Sequence, residues 1–296
     1  MAKARSSQKI KSREKILDYI LVVVFIGVVV ITLYPFLNVL AISFNDPIDT
    51  MRNINFIIPR EFTLSNYTYV FTENNLAGPF LMSVARTLIG TLISVFSTAM
   101  IAYVLSRRDF YFNKIVTFLF LITMYVSGGM VPEYLLLTRT LNLGNNFLVY
   151  LLPGLIWAYN IVLMRSFMDG LPDALQEAAR IDGANDFVIW LKIIVPLCKP
   201  VLATVALFVA VSQWNSFLDT YLYARDLPTL QYVLYEIMEK ATIKVDPHAA
   251  DQVKNAVSPL SVRMAITIIA TIPIIVVYPF LQKYFVGGMT VGAVKD

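Results

Sequence analysis

Asp169-Gly170-Leu171-Pro172-Asp173-Ala174-Leu175-Gln176-Glu177-Ala178-Ala179-Arg180-Ile181-Asp182-Gly183-Ala184 is a short polar interlude in a strongly apolar chain. Pro172 suits the first turn of a helix, and Asp173 places a carboxylate near its positive end. Gly183 supplies a stop, because glycine readily takes the left-handed conformation that ends a helix. The spacing therefore predicts a helix of about three turns. Ala174, Ala178 and Ile181 fall on one stripe of it, at intervals of four and three. Small residues there would let the backbone sit close inside a groove on another protein. Glu177 and Arg180, three apart, could pair with each other or with charges lining that groove. So short a helix is marginal alone and needs a partner or the membrane domain to hold it.

The surroundings of this interlude are membrane-like. Of 296 residues, 57% are hydrophobic and only 15% charged, with mean hydropathy +0.66. A water-soluble domain carries about 25% charged residues. Six stretches are long and apolar enough to be read as spans: 16–42, 80–105, 112–134, 147–168, 199–221 and 262–284. They predict an all-α integral membrane protein of six transmembrane helices between a basic tail (1–15) and a C-terminal tail (285–296). The first run is too long for the apolar core of a signal peptide and reads as a retained span. Ser127-Gly128-Gly129 and Pro132 interrupt the third stretch, which we expect to be broken or re-entrant. Phe187 to Leu197, apolar and ending near Pro196, blurs the start of the fifth. Such breaks are tolerated where protein or water satisfies the freed backbone, which favours a bundle around a pathway.

Positive residues set the direction. Lys3, Arg5, Lys9, Lys11, Arg13 and Lys15 precede the first span, and Arg107, Arg108 and Lys114 follow the second. Arg165, Arg180 and Lys192 lie in the 169–198 loop or beside it, whereas 138–146 holds only Arg139. Both termini are expected in the cytoplasm, with the 222–261 loop outside. These charges do not gather into a basic face, so no nucleic-acid partner is expected. One cysteine, Cys198, and one histidine, His248, leave little for a disulfide, a metal site or His-dependent catalysis.

Glu177-Ala178-Ala179, then Gly183 after three residues, then Ile193 and Val195-Pro196 at fixed distance, resembles the EAA loop of ABC importer permeases. That family usually has Leu where this chain has Val195. Glu-Ala-Ala-Arg-Ile-Asp-Gly-Ala-Asn, with Val-Pro-Leu-Cys-Lys-Pro downstream, looks like carbohydrate importers of the MalG type, closest in style to LplC/YtcP permeases. Tyr34-Pro35-Phe36, Phe62-Thr63-Leu64-Ser65-Asn66-Tyr67, Ala102-Tyr103-Val104-Leu105-Ser106-Arg107, Trp214-Asn215 and the ending from Gln282 to Lys295 extend the likeness to nearly the whole chain. The resemblance implies the MetI/MalG-like fold and a non-catalytic subunit forming half of a carbohydrate pathway in a bacterial inner membrane. It also implies a second, MalF-like permease, two ATPase subunits holding ATP and Mg, and an extracytoplasmic solute-binding protein. Glu177, Ala178, Ala179, Asp182 and Gly183 would then couple to the ATPase, with the C-terminal tail also lying against it. The carbohydrate is expected to be an oligosaccharide.

Polar residues inside spans are functional candidates by default. Gln213, Trp214, Asn215 and Asp219, near Phe217 and Tyr221, suit a sugar ring with its apolar faces and polar edges. The plainer reading is that the amides bridge helices and the aromatics form an interfacial belt. Arg86 reads as a residue snorkelling to the headgroups. Tyr235 to Lys240 looks helical within the long outer loop, which in MalG-like permeases reaches toward the binding protein. Asn66-Tyr67-Thr68 is a chance glycosylation sequon, and His248 an ordinary exposed residue. No Gly-rich phosphate loop, His-Glu-x-x-His helix or Gly-x-Ser-x-Gly elbow is present. The alternatives are a self-sufficient secondary transporter, for which Asp219 is the available intramembrane carboxylate, and an ABC permease for a solute other than sugar.

Overall fold

A computed structural model of the chain describes residues 2–52, 57–72, 75–243 and 258–293. Among these there is no strand, only an isolated antiparallel bridge between Asn45 and Phe62. The helices group into two compact units, residues 1–74 with 237–269, and residues 75–236 with 270–296. His248 lies outside the described residues.

The first unit opens with α1 (Ala2–Ser43), whose helical backbone runs straight through the basic tail. Its apolar part, Asp18–Ser43, has a mean hydropathy of 2.9 over its most apolar 18 residues, and the chain itself buries none of that window; burial begins at Ala41. A helix apolar on every face needs lipid or another protein around it. Immediately after α1 the chain knots, with α2 (Pro47–Arg52) and α3 (Ser65–Thr72) gathered on Asn45. Its buried amide donates to Asp49 (2.8 Å) and Thr50 (2.9 Å) and accepts from the Arg60 and Glu61 backbone N–H groups (2.8 and 3.0 Å). Asn66, also fully buried, donates to the carbonyls of Ser43 and Asn45. Its side chain ties two segments together, so the sequon is a structural amide. Phe44 stacks between Phe62 and Tyr67 above these bonds.

The second unit is built on α4 (Ala77–Ser106), which packs against α7 (Ala158–Met168) and α11 (Lys199–Asn215). Between them run α5 (Asn113–Tyr125), α6 (Met130–Leu135, continued by a π turn to Thr140), α8 (Ala174–Ile181), α9 (Asp186–Ile189) and α10 (Val195–Leu197). The chain continues through α12 (Leu218–Tyr223), α13 (Leu230–Ile243) and α14 (Pro259–Ala293). A buried cluster joins Ala102 and Tyr103 of α4, Met164 and Met168 of α7, Trp190 and Ile194, and Val201, Val205 and Val209 of α11.

Three helices are long and apolar enough to cross a membrane unaided: Asp18–Ser43, Ala77–Ser106 and Pro259–Pro279. Two more stretches qualify only as bent pairs. The third stretch turns by 111° at residues 126–129, where the sequence places its glycines and where Gly129 sits at φ +88°. Phe187 to Leu197 proves to be the first limb of the fifth stretch, and the chain turns 83° at Cys198 between Pro196 and Pro200. Pro200 has no N–H to continue the ladder. The 147–168 stretch is a 3₁₀ turn (Phe147–Tyr150), an irregular segment and the eleven-residue α7. At 1.5 Å per residue α7 covers about 16 Å, half the hydrocarbon thickness. The fifth stretch also stops early, since α11 ends at Asn215 and α12 begins anew at Leu218.

The Asn45 knot yields a direct test. Asn45→Ala removes the acceptor that the Arg60 and Glu61 N–H groups share. Amide exchange at those two positions should accelerate in the purified variant, while exchange within α11 stays unchanged.

Candidate functional site

The 169–198 loop holds the first candidate site. Its leading helix, α8, has eight residues rather than three full turns, because Pro172 stays outside it and Asp173 takes the capping position. The far end is closed as the glycine predicts. Gly183 has φ +80°, its N–H donates to the Arg180 carbonyl (3.0 Å), and the Ala184 N–H donates to the Ala179 carbonyl (3.0 Å). This is a Schellman termination, with Ala179 and Ala184 facing the same buried cluster. Asn185 then caps α9 by accepting from the Val188 N–H at 2.9 Å.

The loop is braced from one side only. Ala179 and Gln176 are buried, and Gln176 accepts a hydrogen bond from Arg107, just beyond α4. Arg180 turns away from Glu177 and pairs with Asp186 (3.0 Å) and Asp109 (3.3 Å), and Asp109 also takes Arg107 at 3.1 Å. Bonding by Arg107, then Arg180, holds the Asp109 carboxyl down at about 2, so the two ion pairs made by Asp109 persist across any cellular pH. On the opposite side Ala174, Glu177, Ala178 and Ile181 are exposed, Ile181 by 87%. Among the described residues Glu177 has no ion-pair or hydrogen-bond partner. An uncovered apolar and acidic face on a rigidly capped helix is an interaction surface in chemical character.

The second candidate lies at the other end of α11. Arg86 of α4 is 2% exposed, so it does not snorkel to the headgroups; the protein matches its charge internally. Its guanidinium meets Asp219 through two bonds (3.1 and 2.5 Å) and Gln213 Oε1 through two more (3.1 and 2.9 Å), and reaches the Ser216 carbonyl at 3.5 Å. All five N–H donors of the arginine are thereby directed at acceptors. The ring of Tyr150 covers it at 4.4 Å. Gln213 donates to the Tyr150 carbonyl (3.1 Å), and the Tyr150 hydroxyl donates to the Leu227 carbonyl (2.7 Å) and lies within hydrogen-bonding distance of the Thr220 hydroxyl (3.0 Å). Gly90 of α4 makes the approach possible, since a Cβ there would stand 3.0 Å from the Gln213 amide.

The four polar or aromatic candidates of the fifth stretch thus separate. Gln213 and Asp219 converge on Arg86 and border a cavity of about 280 Å3 lined also by Glu133, Trp157 and Asn160. Trp214 faces elsewhere, donating to the Ala270 carbonyl (3.0 Å) and meeting Phe80 edge-on in an apolar pocket. Asn215 is exposed beside Phe208 and Ser212. Sequence reading missed Arg86 as the centre of the cluster, although a lone cation and a lone anion in apolar stretches are each other's natural partners. It missed Tyr150 and Asn160 altogether; nothing local distinguishes them. Among the described residues no group of His, Cys, Asp and Glu could hold a metal ion.

Bent apolar helices around a buried polar cluster, with a capped loop helix left uncovered, suit a membrane transport component. The family described as "Binding-protein-dependent transport system inner membrane component" matches residues 76–291, and the chain belongs to that family of multi-pass inner-membrane permease components. Protein LplC of Bacillus subtilis (strain 168) is 38% identical over 272 residues, which cover 91% of each chain. The polygalacturonan/rhamnogalacturonan transport system permease protein YtcP of the same organism is 35% identical over 90% of this chain and 93% of its own length. Among solved structures, a bacterial ABC transporter involved in the import of the acidic polysaccharide alginate matches with a TM-score of 0.74 and 30% identity. That match covers 92% of this chain and 97% of the other.

Asp219→Ala leaves the Arg86 charge buried and unmatched, which costs about 3–5 kcal/mol. Thermal unfolding of the purified protein in detergent should show a clearly lowered midpoint. The double variant Arg86→Met with Asp219→Leu should recover most of the loss, because no orphaned charge remains.

Proposed function

We propose that this chain is one of two permease subunits of an ATP-driven importer, forming half of the path for a carbohydrate, and that its 169–198 loop is the coupling element. The observation that carries this reading is the uncovered face of α8, with Glu177 free beside Ala178 and the helix end locked by Gly183. A rigid cap fixes where the face points, so a neighbour that closes on it moves the loop rather than deforming it. Glu177 meets a basic residue of the ATPase, Ala178 gives the close fit, and Asp182 and Gly183 make the turn, while Ala179, buried against the chain's own cluster, anchors the helix from behind. ATP and Mg reside in the two ATPase subunits, and a second, MalF-like permease completes the path. An extracytoplasmic binding protein delivers the solute. Binding of nucleotide and of the loaded delivery protein selects between inward-open and outward-open arrangements.

An oligosaccharide cargo is supported by the names of two proteins similar to this one, which concern polygalacturonan and rhamnogalacturonan in one case and alginate in the other. Six crossings with both termini in the cytoplasm are supported by the positive residues that flank the first, second and fourth stretches. The two bent pairs then count as one crossing each. The 147–168 stretch makes the remaining one, and the exposed part of its irregular half needs a neighbouring subunit or a water-filled path beside it.

Glu177→Lys in the assembled importer should leave insertion and assembly intact while ATP hydrolysis no longer drives uptake in proteoliposomes. Uptake at the normal rate would remove coupling from this loop. Single cysteines placed at Ala178 and at Tyr235, in a chain with Cys198→Ser, should be labelled by an impermeant maleimide from opposite sides of the membrane.

A further inference from the structure

The cavity beside Arg86 contains a buried polar group that the chain itself does not use. Asn160 of α7 is 3% exposed and lines the cavity, yet among the described residues its amide has no hydrogen-bond partner. Its polar atoms open onto the cavity, where water or a ligand can match them. Glu133 of α6 lines the same cavity, and among the described residues its carboxylate has no ion pair or hydrogen bond either. Aromatic side chains complete the wall at Trp157 and Tyr159, 51% and 54% exposed, while the Tyr150 ring is taken up by Arg86.

The charge arrangement selects what can enter. The cavity has one cation, Arg86, and two anions, Asp219 and Glu133. The guanidinium is no free anion receptor, because its five donors are already directed at Asp219, Gln213 and Ser216. A carboxylated ligand would therefore meet an unpaired carboxylate and find no free cation to offset the repulsion. A hydroxylated ring meets complementary groups: hydroxyls donate to Glu133 and to the Asn160 carbonyl oxygen and accept from the Asn160 amide, while the C–H faces lie on the aromatics. The volume, about 280 Å3, is at the small end of ligand sites.

We infer that this cavity is a subsite for an uncharged, hydroxyl-rich sugar ring, held by Asn160 and screened against uronates by Glu133. The inference rests on the chain being part of a saccharide pathway, and it adds a specificity that the names of the similar proteins do not suggest. The test uses the purified, fully assembled importer in nanodiscs, without nucleotide or binding protein, and follows tryptophan fluorescence with Trp157→Phe as the control. The probes are three neutral trisaccharides (maltotriose, arabinotriose and galactotriose) and trigalacturonate. At least one neutral sugar should give a saturable change that the control lacks, and Asn160→Leu should weaken it about tenfold, the loss expected for one or two buried hydrogen bonds. Trigalacturonate should bind at least about tenfold more weakly than that sugar, with Glu133→Gln narrowing the gap. Equal or tighter binding of trigalacturonate, a neutral-sugar signal that survives Asn160→Leu, or silence with every neutral probe would each overturn the assignment. If the same preparation still couples ATP hydrolysis to saccharide uptake, such a result removes the subsite alone. If it carries no saccharide, the broader reading fails with it.

Discussion

A guanidinium removed from water has to be matched donor for donor, and at Arg86 this requirement organises the core of the second unit. In a medium of low dielectric an unmatched cation costs several kcal/mol, so the acceptors must arrive from wherever the chain can supply them. They come from the end of α11 (Gln213), from the break after it (the Ser216 carbonyl) and from α12 (Asp219). Helix α11 ends at Asn215, and that ending is what allows the next few residues to curl back over the guanidinium. A straight fifth helix would carry Asp219 onward along its axis. The break is thus part of the electrostatics.

The polar groups around this centre form a graded series. Closest in, every donor has an acceptor and the geometry is fixed. One step out, Tyr150 links the cluster to Thr220 and to the Leu227 carbonyl. Beyond that, Asn160 and Glu133 face open space with their bonding capacity unspent. Fixed groups hold the shape of the cavity and unspent groups give it chemistry, a division common to binding sites whose specificity depends on preorganised walls.

Much of this architecture is legible in the sequence where chemistry is local. Gly183 announces the end of α8 because few other residues tolerate its φ, and Ser127-Gly128-Gly129 announces the bend in the third stretch for the same reason. The knot at Asn45 and the cluster at Arg86 are different. Each joins residues far apart along the chain, and hydropathy records only that a polar residue is present, not what it will face. Arg86 was legible as costly and Asp219 as notable, but their meeting depends on the path of α11 and its ending. The 147–168 stretch misleads for a related reason: its apolar composition suits burial against neighbours as well as lipid, and a helix of eleven residues suffices for the former.

One consequence of α11 has to do with leverage. It is a single rod that starts next to the 169–198 loop, at the 83° corner by Cys198, and finishes at the amide that grips Arg86. Seventeen residues make it about 25 Å long, so pivoting its base by five degrees carries its tip about 2 Å, roughly the difference between a hydrogen bond and none. Val201, Val205 and Val209, all buried along its flank, keep the shaft from flexing. Were the corner at Cys198 to turn, the displacement would therefore be felt at Gln213 and the groups it holds.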